Sequence, residues 1–238
     1  MRILGIDSST PGCSVALLNN GVLVAEQKAD PQPSFSKYLL QMVDSVLNQG
    51  GIRLDALDGY AVTLGPGSFT GLRIGVSLIK GFVLATEKPF VGINTLEALA
   101  CTVDAPQHPI CPALDARKSE VYAAIYETRN NSLHGVINES ALSPEALCDL
   151  IKTPTLFTGT GSERYRDLLK NSLGKRFLEP ETPPRFSTAA GAALLASRRF
   201  DTHKQFDLSQ LTINYIRKSE AELSLLGSLA ERRSNHGN

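Results

Sequence analysis

Apolar positions along the first hundred residues recur with two periods, one typical of strands and the other of helices. An Asn-Gly pair at residues 20 and 21 separates two alternating runs and predicts a β-hairpin. Gly65-Pro66-Gly67 lies between an apolar strand and a long apolar helix. The predicted strands are Arg2–Asp7, Cys13–Leu18, Val22–Gln27, Gly59–Leu64 and Phe90–Ile93, and the predicted helices are Ser36–Asn48, Ser68–Ala85 and one that begins after Asn94.

The same order of elements recurs after the polar, proline-rich segment Asp104–Pro109. Each half begins with an apolar strand that ends in an aspartate, Asp7 in the first and Asp115 in the second. The strands predicted in the second half are Ile110–Leu114, Glu120–Tyr126, Leu133–Ile137 and Thr155–Thr158, and the helices begin at Ser143 or span Glu163–Leu173, Ser187–Arg199 and Ala221–Arg232. We therefore expect two similar, stacked α/β domains, residues 1–104 and 105–238.

Composition narrows the class of protein. Hydrophobic residues make up 42% of the chain, which excludes global disorder, and 24 Lys and Arg balance 24 Asp and Glu. Zero net charge argues against a broad nucleic-acid footprint. The four cysteines show no CxxC spacing and the four histidines no HxxxH or HExxH spacing, so we expect a reduced, cytoplasmic setting without a helical metal site. No run approaches about 18 apolar residues, so no membrane span is expected.

The glycine-rich block LGPGSFTGLRIG, residues 64–75, is the densest motif. It does not fit a phosphate-binding loop, because no lysine follows Gly71 and Thr70 stands where GxGxxG requires glycine. Gly67, Gly71 and Gly75 instead fall on one helix face, where each interior glycine costs about 0.8–1.0 kcal/mol relative to alanine. Such a face suits close approach of another backbone. Because the helix is apolar nearly all round, we expect its second side to be covered by a partner subunit or, alternatively, by its own chain.

A second candidate site lies at the ends of strands. Asp7, Ser9 and Thr10 resemble the phosphate-facing hairpin of the actin, hexokinase and Hsp70 superfamily, and the alternative is a strand-end cap that binds turn amides. Gly159 and Gly161 follow an apolar strand and either approach an adenosine or only shape the turn.

Other charged residues are predicted to be structural. Asp115 and Arg117 are expected to pair with each other, or Arg117 with Glu120. The Arg198-Arg199 and Arg232-Arg233 pairs are expected at solvated helix ends, with a basic edge that touches RNA as the alternative.

Six segments together resemble the TsaB (YeaZ) family over residues 1–222: MRILGIDSST, CSVAL, LGPGSFTGLRIG, ALDARKSEVYAAIY, TGTGS and NYIRKSEAE. The resemblance implies a two-domain actin-like (ASKHA, ribonuclease H-like) fold with mixed sheets flanked by helices. It also implies a paralogue of TsaD, the subunit that transfers threonylcarbamoyl to the adenosine beside the anticodon of tRNAs that read codons starting with A. TsaD carries an HxxxH metal pair that this sequence lacks, so the resemblance implies a non-catalytic subunit.

The resemblance implies further that TsaD and TsaE are partners, that the chain forms a homodimer when alone, and that it meets tRNA through the complex. The resemblance implies that this chain requires no cofactor, and it leaves open whether ATP or ADP binds weakly in the cleft or at the interface. Phe35 stands where many relatives carry histidine, which favours a more apolar contact there. The interface residues expected on the first two helices are Leu39, Leu40, Val43, Val46, Gly67, Phe69, Thr70, Gly71, Leu72, Arg73, Gly75, Val76 and Ile79.

Two enzymatic alternatives stay open at this stage. One is an actin-fold ATPase or sugar-kinase-like enzyme that uses Asp7. The other is the peptidase implied by the older label glycoprotease, for which the sequence offers neither a zinc pair nor a convincing Ser–His–Asp spacing.

Overall fold

Two five-stranded mixed sheets with the same internal order form the framework of the chain. The computed structural model describes residues 1–10, 12–29, 35–105, 107–130 and 132–217, with the side chains of residues 35–37 left out. The first sheet contains β1 (Arg2–Asp7), β2 (Cys13–Asn19), β3 (Val22–Ala29), β4 (Gly59–Thr63) and β5 (Phe90–Ile93). The second contains β6 (Ile110–Arg117), β7 (Glu120–Arg129), β8 (Ser132–Leu142), β9 (Thr155–Thr158) and β10 (Phe177–Leu178).

The order of strands confirms the predicted duplication. The first sheet runs β3-β2-β1-β4-β5 and the second β8-β7-β6-β9-β10. In both, the first strand pairs antiparallel with the second and parallel with the fourth. Each half therefore builds the same sheet from the same sequence of elements, which is the arrangement expected of the actin-like fold.

Seven α-helices cover the described part of the sheets. They are α1 (Phe35–Gln49), α2 (Phe69–Thr86), α3 (Thr95–Ala100), α4 (Pro144–Leu150), α5 (Thr160–Arg164), α6 (Arg166–Leu173) and α7 (Thr188–His203). The single helix expected at Glu163–Leu173 is two, because the backbone of Tyr165 (φ −106°, ψ 21°) leaves the helical region. The helix expected at Ala221–Arg232 lies outside the described residues.

Two helices pack on the sheet of the other half. Side chains of α3, including Leu96 and Leu99, join the core on the second sheet. The alanine-rich α7 packs on the first sheet, on the face opposite α1 and α2. The division between residues 104 and 105 stays a prediction, but it does not describe where these two helices pack.

An ion pair links the two exchanged helices. Arg199 of α7 donates from Nη1 to Glu97 Oε2 at 2.9 Å and from Nη2 to Glu97 Oε1. Hydrogen bonding to Glu97 raises the pKa of Arg199 above its ordinary value. The prediction that Arg199 lies at a solvated helix end is wrong, because α7 turns this residue towards α3.

The apolar helix α2 lies beside α1 on the first sheet. Leu72, Val76, Ile79 and Val83 of α2 are buried in the core beneath it. By length and composition alone α2 is also able to cross a membrane, which the sequence analysis did not expect. Core helices of soluble proteins meet the same criterion, and the packing of α2 on its sheet explains its composition.

Candidate interface

Both ends of α2 are fixed by local hydrogen bonds. Ser68 is the N-cap, and its Oγ accepts from the N–H of Gly71 at 3.3 Å. The N–H of Ser68 donates to the carbonyl of Ser9 at 2.6 Å, which ties the start of the helix to the end of β1. Glu87, in the left-handed region at φ 55°, ends the helix by donating to the carbonyl of Val83.

The glycine face of α2 packs on its own chain. A Cβ at Gly71 would lie 2.0 Å from the carbonyl oxygen of Ser8, and one at Gly75 would lie 2.3 Å from Ser8 Oγ. At Gly67 the corresponding distance to the carbonyl oxygen of Ser9 is 2.3 Å. The prediction that this face docks another polypeptide is therefore wrong. Glycine spacing shows that a backbone approaches closely, and here the backbone belongs to the segment that follows β1.

Most of the other predicted interface residues are also buried within the chain. They stabilise the core of the first sheet, and each is at most 6% exposed. These core residues are Leu39, Val43, Val46, Leu72, Val76 and Ile79. Leu40, Thr70 and Arg73 are exposed and Phe69 is half-buried, so these four are the candidates that a partner can reach.

The C-terminal segment covers one flank of α2. Leu211 is buried in the core of the first sheet, and the N–H of Asn214 donates to the carbonyl of Leu64 at 2.7 Å. The ring of Tyr215 stacks on Phe69 with centroids 4.4 Å apart and planes at 9°. Its hydroxyl accepts a hydrogen bond from Arg73 Nε at 3.1 Å. The sequence left open whether a partner or the chain itself covers the second side of α2, and the C-terminal segment shows that the chain itself covers part of it.

One strip of α2 remains uncovered in the described part of the chain, and we call it the outer strip. Its members share one side of the helix and are all exposed: Thr70, Arg73, Ser77, Gly81 and Leu84. Leu84 is 72% exposed, and a Cβ at Gly81 would meet no atom within 4 Å. Ser77, Gly81 and Leu84 are not among the interface residues expected from the sequence, although they recur at helical spacing opposite the glycine face.

The exposed side of α1 adds apolar surface on the same side of the sheet. Leu40 is 47% exposed and Tyr38 is 45% exposed. The side chain of Phe35 lies outside the described residues, so the expectation of an apolar contact there stays a prediction.

Asp7 forms a strand-end cap. Its Oδ1 accepts from the N–H of Ser9 at 3.1 Å, from Ser9 Oγ at 2.6 Å and from Thr63 Oγ1 at 2.7 Å. Burial raises the pKa of Asp7 above its ordinary value, against the lowering effect of these hydrogen bonds. Asp7 and Thr10 line a cavity of about 210 Å³, which is below the range of roughly 300–1,000 Å³ typical of ligand pockets.

Gly159 and Gly161 shape a turn against β6. A Cβ at Gly159, where φ is 96°, would lie 2.6 Å from the carbonyl oxygen of Ala113, and one at Gly161 would lie 2.9 Å from Ala113 C. Gly159 also lines a cavity of about 560 Å³ that Asp7 does not reach. The five candidate nucleotide-facing residues are thus not brought together in one pocket.

The charged residues of the second hairpin pair differently from the prediction. Asp115 pairs with Arg164 at 2.9 Å, and its other carboxylate oxygen accepts from the backbone N–H of Arg117 at 2.9 Å. Glu120 pairs with Arg217 of the C-terminal segment at 2.9 Å. Among the described residues, no group of three or more His, Cys, Asp or Glu is placed to hold a metal ion.

Comparison with known proteins connects this geometry to a family. The family model for TsaD, the tRNA N6-adenosine threonylcarbamoyltransferase, matches residues 29–221. The tRNA threonylcarbamoyladenosine biosynthesis protein TsaB of Escherichia coli is 36% identical over 178 residues, which cover 72% of this chain and 77% of that protein. The chain belongs to the TsaB family. The predicted family is confirmed.

Solved structures place the TsaB family within a wider fold. A Pseudomonas aeruginosa protein described as similar to the peptidase YeaZ has a TM-score of 0.76 at 27% identity, covering 91% of this chain and 99% of that one. A ROK hexokinase from Thermus thermophilus has a TM-score of 0.52 at 11% identity, covering 84% and 99%. The second likeness concerns the fold alone, which confirms the predicted actin-like architecture of two mixed sheets flanked by helices.

Proposed function

We propose that this TsaB-family chain is a non-catalytic subunit of tRNA threonylcarbamoyladenosine biosynthesis, and that it supports the TsaD transferase by binding it through the outer strip. The observation that carries the proposal is the side of α2 that the described residues leave uncovered. The glycine face meets the end of β1 and one flank meets the C-terminal segment, whereas Leu84 and Gly81 are exposed. A long apolar helix with one such side suits a helical partner.

The shape of the outer strip favours close helix packing. Ser77 and Gly81 lie one turn apart, and neither carries a side chain that would hold another helix away. Leu84 supplies apolar area on the strip itself, and Leu40 of α1 is a further exposed apolar residue on the same side of the sheet. A partner helix that packed on the strip would bury Leu84 without moving any described backbone segment.

The arrangement around Asp7 supports a non-catalytic role. Its Oδ1 accepts three hydrogen bonds from the chain itself, and the cavity beside it is smaller than a usual ligand pocket. The sequence also lacks the HxxxH pair that the resemblance ascribes to TsaD. We therefore place the transfer reaction on TsaD, with TsaE and tRNA joining the complex in the cytoplasm. Alone, the chain would self-associate through the same strip and require no nucleotide.

The test is association with TsaD from the same organism, measured by titration calorimetry with the full chain. Gly81→Arg should weaken binding by about a hundredfold or more, because a long side chain would separate the helices at the centre of the contact. The matched control is Gly135→Arg on exposed β8, where a Cβ meets only Tyr126 at 4.0 Å. Both variants should unfold at a denaturant concentration no lower than the wild-type value, because each replaces an exposed glycine inside a helix or a strand. A folded Gly81→Arg variant that binds TsaD with wild-type affinity would overturn the proposal.

A cellular experiment tests the function separately from the surface. Deleting the gene should remove threonylcarbamoyladenosine from tRNA, and Gly135→Arg but not Gly81→Arg should restore it. Magnesium-dependent ATP turnover by the isolated chain, abolished in Asp7→Asn, would instead favour the kinase-like alternative.

A further inference from the structure

A groove runs beside the outer strip, between α2 and the C-terminal segment. Its volume is about 430 Å³. Val76 and Leu211, both buried, and the partly buried Ile213 give it an apolar floor. The described residues that line it define what we call the cationic groove: Arg73, Val76, Ser77, Lys80, Leu211, Thr212, Ile213 and Tyr215.

Of the residues that the structure describes, two cations and no carboxylate line the cationic groove. Arg73 and Lys80 are seven residues apart, so they lie two turns apart on the same side of α2, about 10 Å along its axis. Within the described part of the chain neither forms an ion pair. The local charge contrasts with the zero net charge of the whole chain.

Arg73 is held in place at one edge. Its Nε donates to Tyr215 Oη at 3.1 Å, and its guanidinium carbon lies 6.0 Å from the centre of the Tyr215 ring. Tyr215 is itself stacked on Phe69. Fixing one edge of a guanidinium leaves its terminal nitrogens oriented for a planar acceptor, and a carboxylate matches that geometry.

We propose that the cationic groove receives an aspartate or glutamate side chain that the docking partner presents beside the outer strip. This inference rests on the proposed function, because Arg73 and Ser77 belong both to the strip and to the groove. A helix packed on the strip would hold its neighbouring side chains above the groove. The cations and the hydroxyls of Ser77 and Thr212 would bind the acid, while the apolar floor would pack against its methylene groups.

The experiment measures the affinity of the full chain for TsaD at several salt concentrations. The side chain of Lys80 forms no hydrogen bond with the described residues, so Lys80→Glu reverses a charge in the groove without breaking a contact that stabilises the fold. Arg73→Gln with Lys80→Gln should weaken binding about tenfold at low salt and flatten the salt dependence, because screening weakens charge pairs. The control removes two exposed lysines of the second half, Lys152→Gln with Lys175→Gln, and should leave both quantities unchanged.

A charge-swap search completes the test. Acids of TsaD are changed singly to lysine, and one such change should restore affinity to the chain that carries Lys80→Glu. If the double glutamine variant keeps both wild-type affinity and salt dependence while Gly81→Arg abolishes binding, the groove inference is overturned and the proposed function stands. If Gly81→Arg binds normally, the proposed docking face fails whatever the groove variants do. If Glu220→Gln with Glu222→Gln alone flattens the salt dependence, the acid belongs to this chain and the inference is again overturned.

Discussion

Alanine at two glycines of the same helix should change stability in opposite directions. Gly71 and Gly81 both lie within α2, so each replacement gains the same intrinsic helix propensity, about 0.8–1.0 kcal/mol. What differs is the surroundings. A Cβ at Gly81 would meet nothing within 4 Å, whereas one at Gly71 would lie 2.0 Å from the carbonyl oxygen of Ser8.

The magnitude at Gly71 follows from what would have to move. Normal packing requires a separation of at least 3.0 Å, so either helix or strand end must shift by about 1 Å. Ser8 is buried and its Oγ donates to the carbonyl of Gly71 at 2.9 Å, while Ser9 accepts from Ser68 at 2.6 Å. Overpacking of this kind costs about 1–3 kcal/mol or more. Because the gain in propensity is the same in both variants, it cancels, and we expect Gly71→Ala to be less stable than Gly81→Ala by about 1–3 kcal/mol.

Urea unfolding of the three proteins measures this difference directly. Gly81→Ala should raise the midpoint and Gly71→Ala should lower it, with the slope m unchanged in both because the native surface is nearly the same. Equal stabilisation by the two substitutions would refute the conclusion that the glycine face packs on the chain itself. It would also revive the hypothesis that this face meets a partner.

Three further predictions concern individual contacts. Arg199→Met should destabilise the chain by roughly 1–3 kcal/mol, since Glu97 loses its charged partner, and a double-mutant cycle in urea should give a coupling of the same sign. Asp7→Asn should stabilise the chain at pH 7, because the folded pKa of Asp7 lies above the unfolded value of 3.8 and ionisation therefore opposes folding; the advantage of asparagine should fade as the pH falls from the folded pKa to 3.8 and be absent below it. Tyr215→Phe should remove the hydrogen bond from Arg73 at a cost of about 1 kcal/mol or less, whereas Tyr215→Ala should also lose the aromatic stack and lower the unfolding midpoint further.

The duplicated sheet was predictable because its signals are local. Alternation of apolar residues, an Asn-Gly turn and acid-ended strands each occupy a few neighbouring positions, and they occur in the same order in both halves. The exchange of α3 and α7 was not predictable in this way. The alanine-rich face of α7 shows that the helix packs closely on something, but both sheets offer an apolar surface. Which sheet it meets depends on contacts with β1, β2, β4 and β5, which lie about 95–200 positions earlier in the chain.

The candidate interface was likewise predictable where its signals are local and not where they depend on distant parts of the chain. The sequence showed that α2 is apolar, and seven of its residues are buried, all within one half of the helix circumference. It could not tell whose backbone meets Gly71, nor that Tyr215 returns to stack on Phe69 from 146 positions further along the chain. The outer strip could have been found from the sequence by choosing the helix positions opposite the glycines. Glycines mark the side that packs most closely on its neighbour, so the opposite side is the one most exposed to a partner.

A partner docked on α2 as proposed would also contact the C-terminal segment, which joins both halves of the chain. The segment that forms one wall of the cationic groove continues into the second half, where Ile216 joins the core of the second sheet and Arg217 pairs with Glu120. Asn214 Nδ2 donates to Glu139 of β8 at 3.0 Å. A partner that fills the groove therefore contacts α2 on one side and a segment anchored on the second sheet on the other. Because Leu211 and Asn214 also anchor this segment to the first sheet, both walls of the groove belong to the first half, and the contacts of Ile216 and Arg217 join that half to the second sheet directly behind the groove.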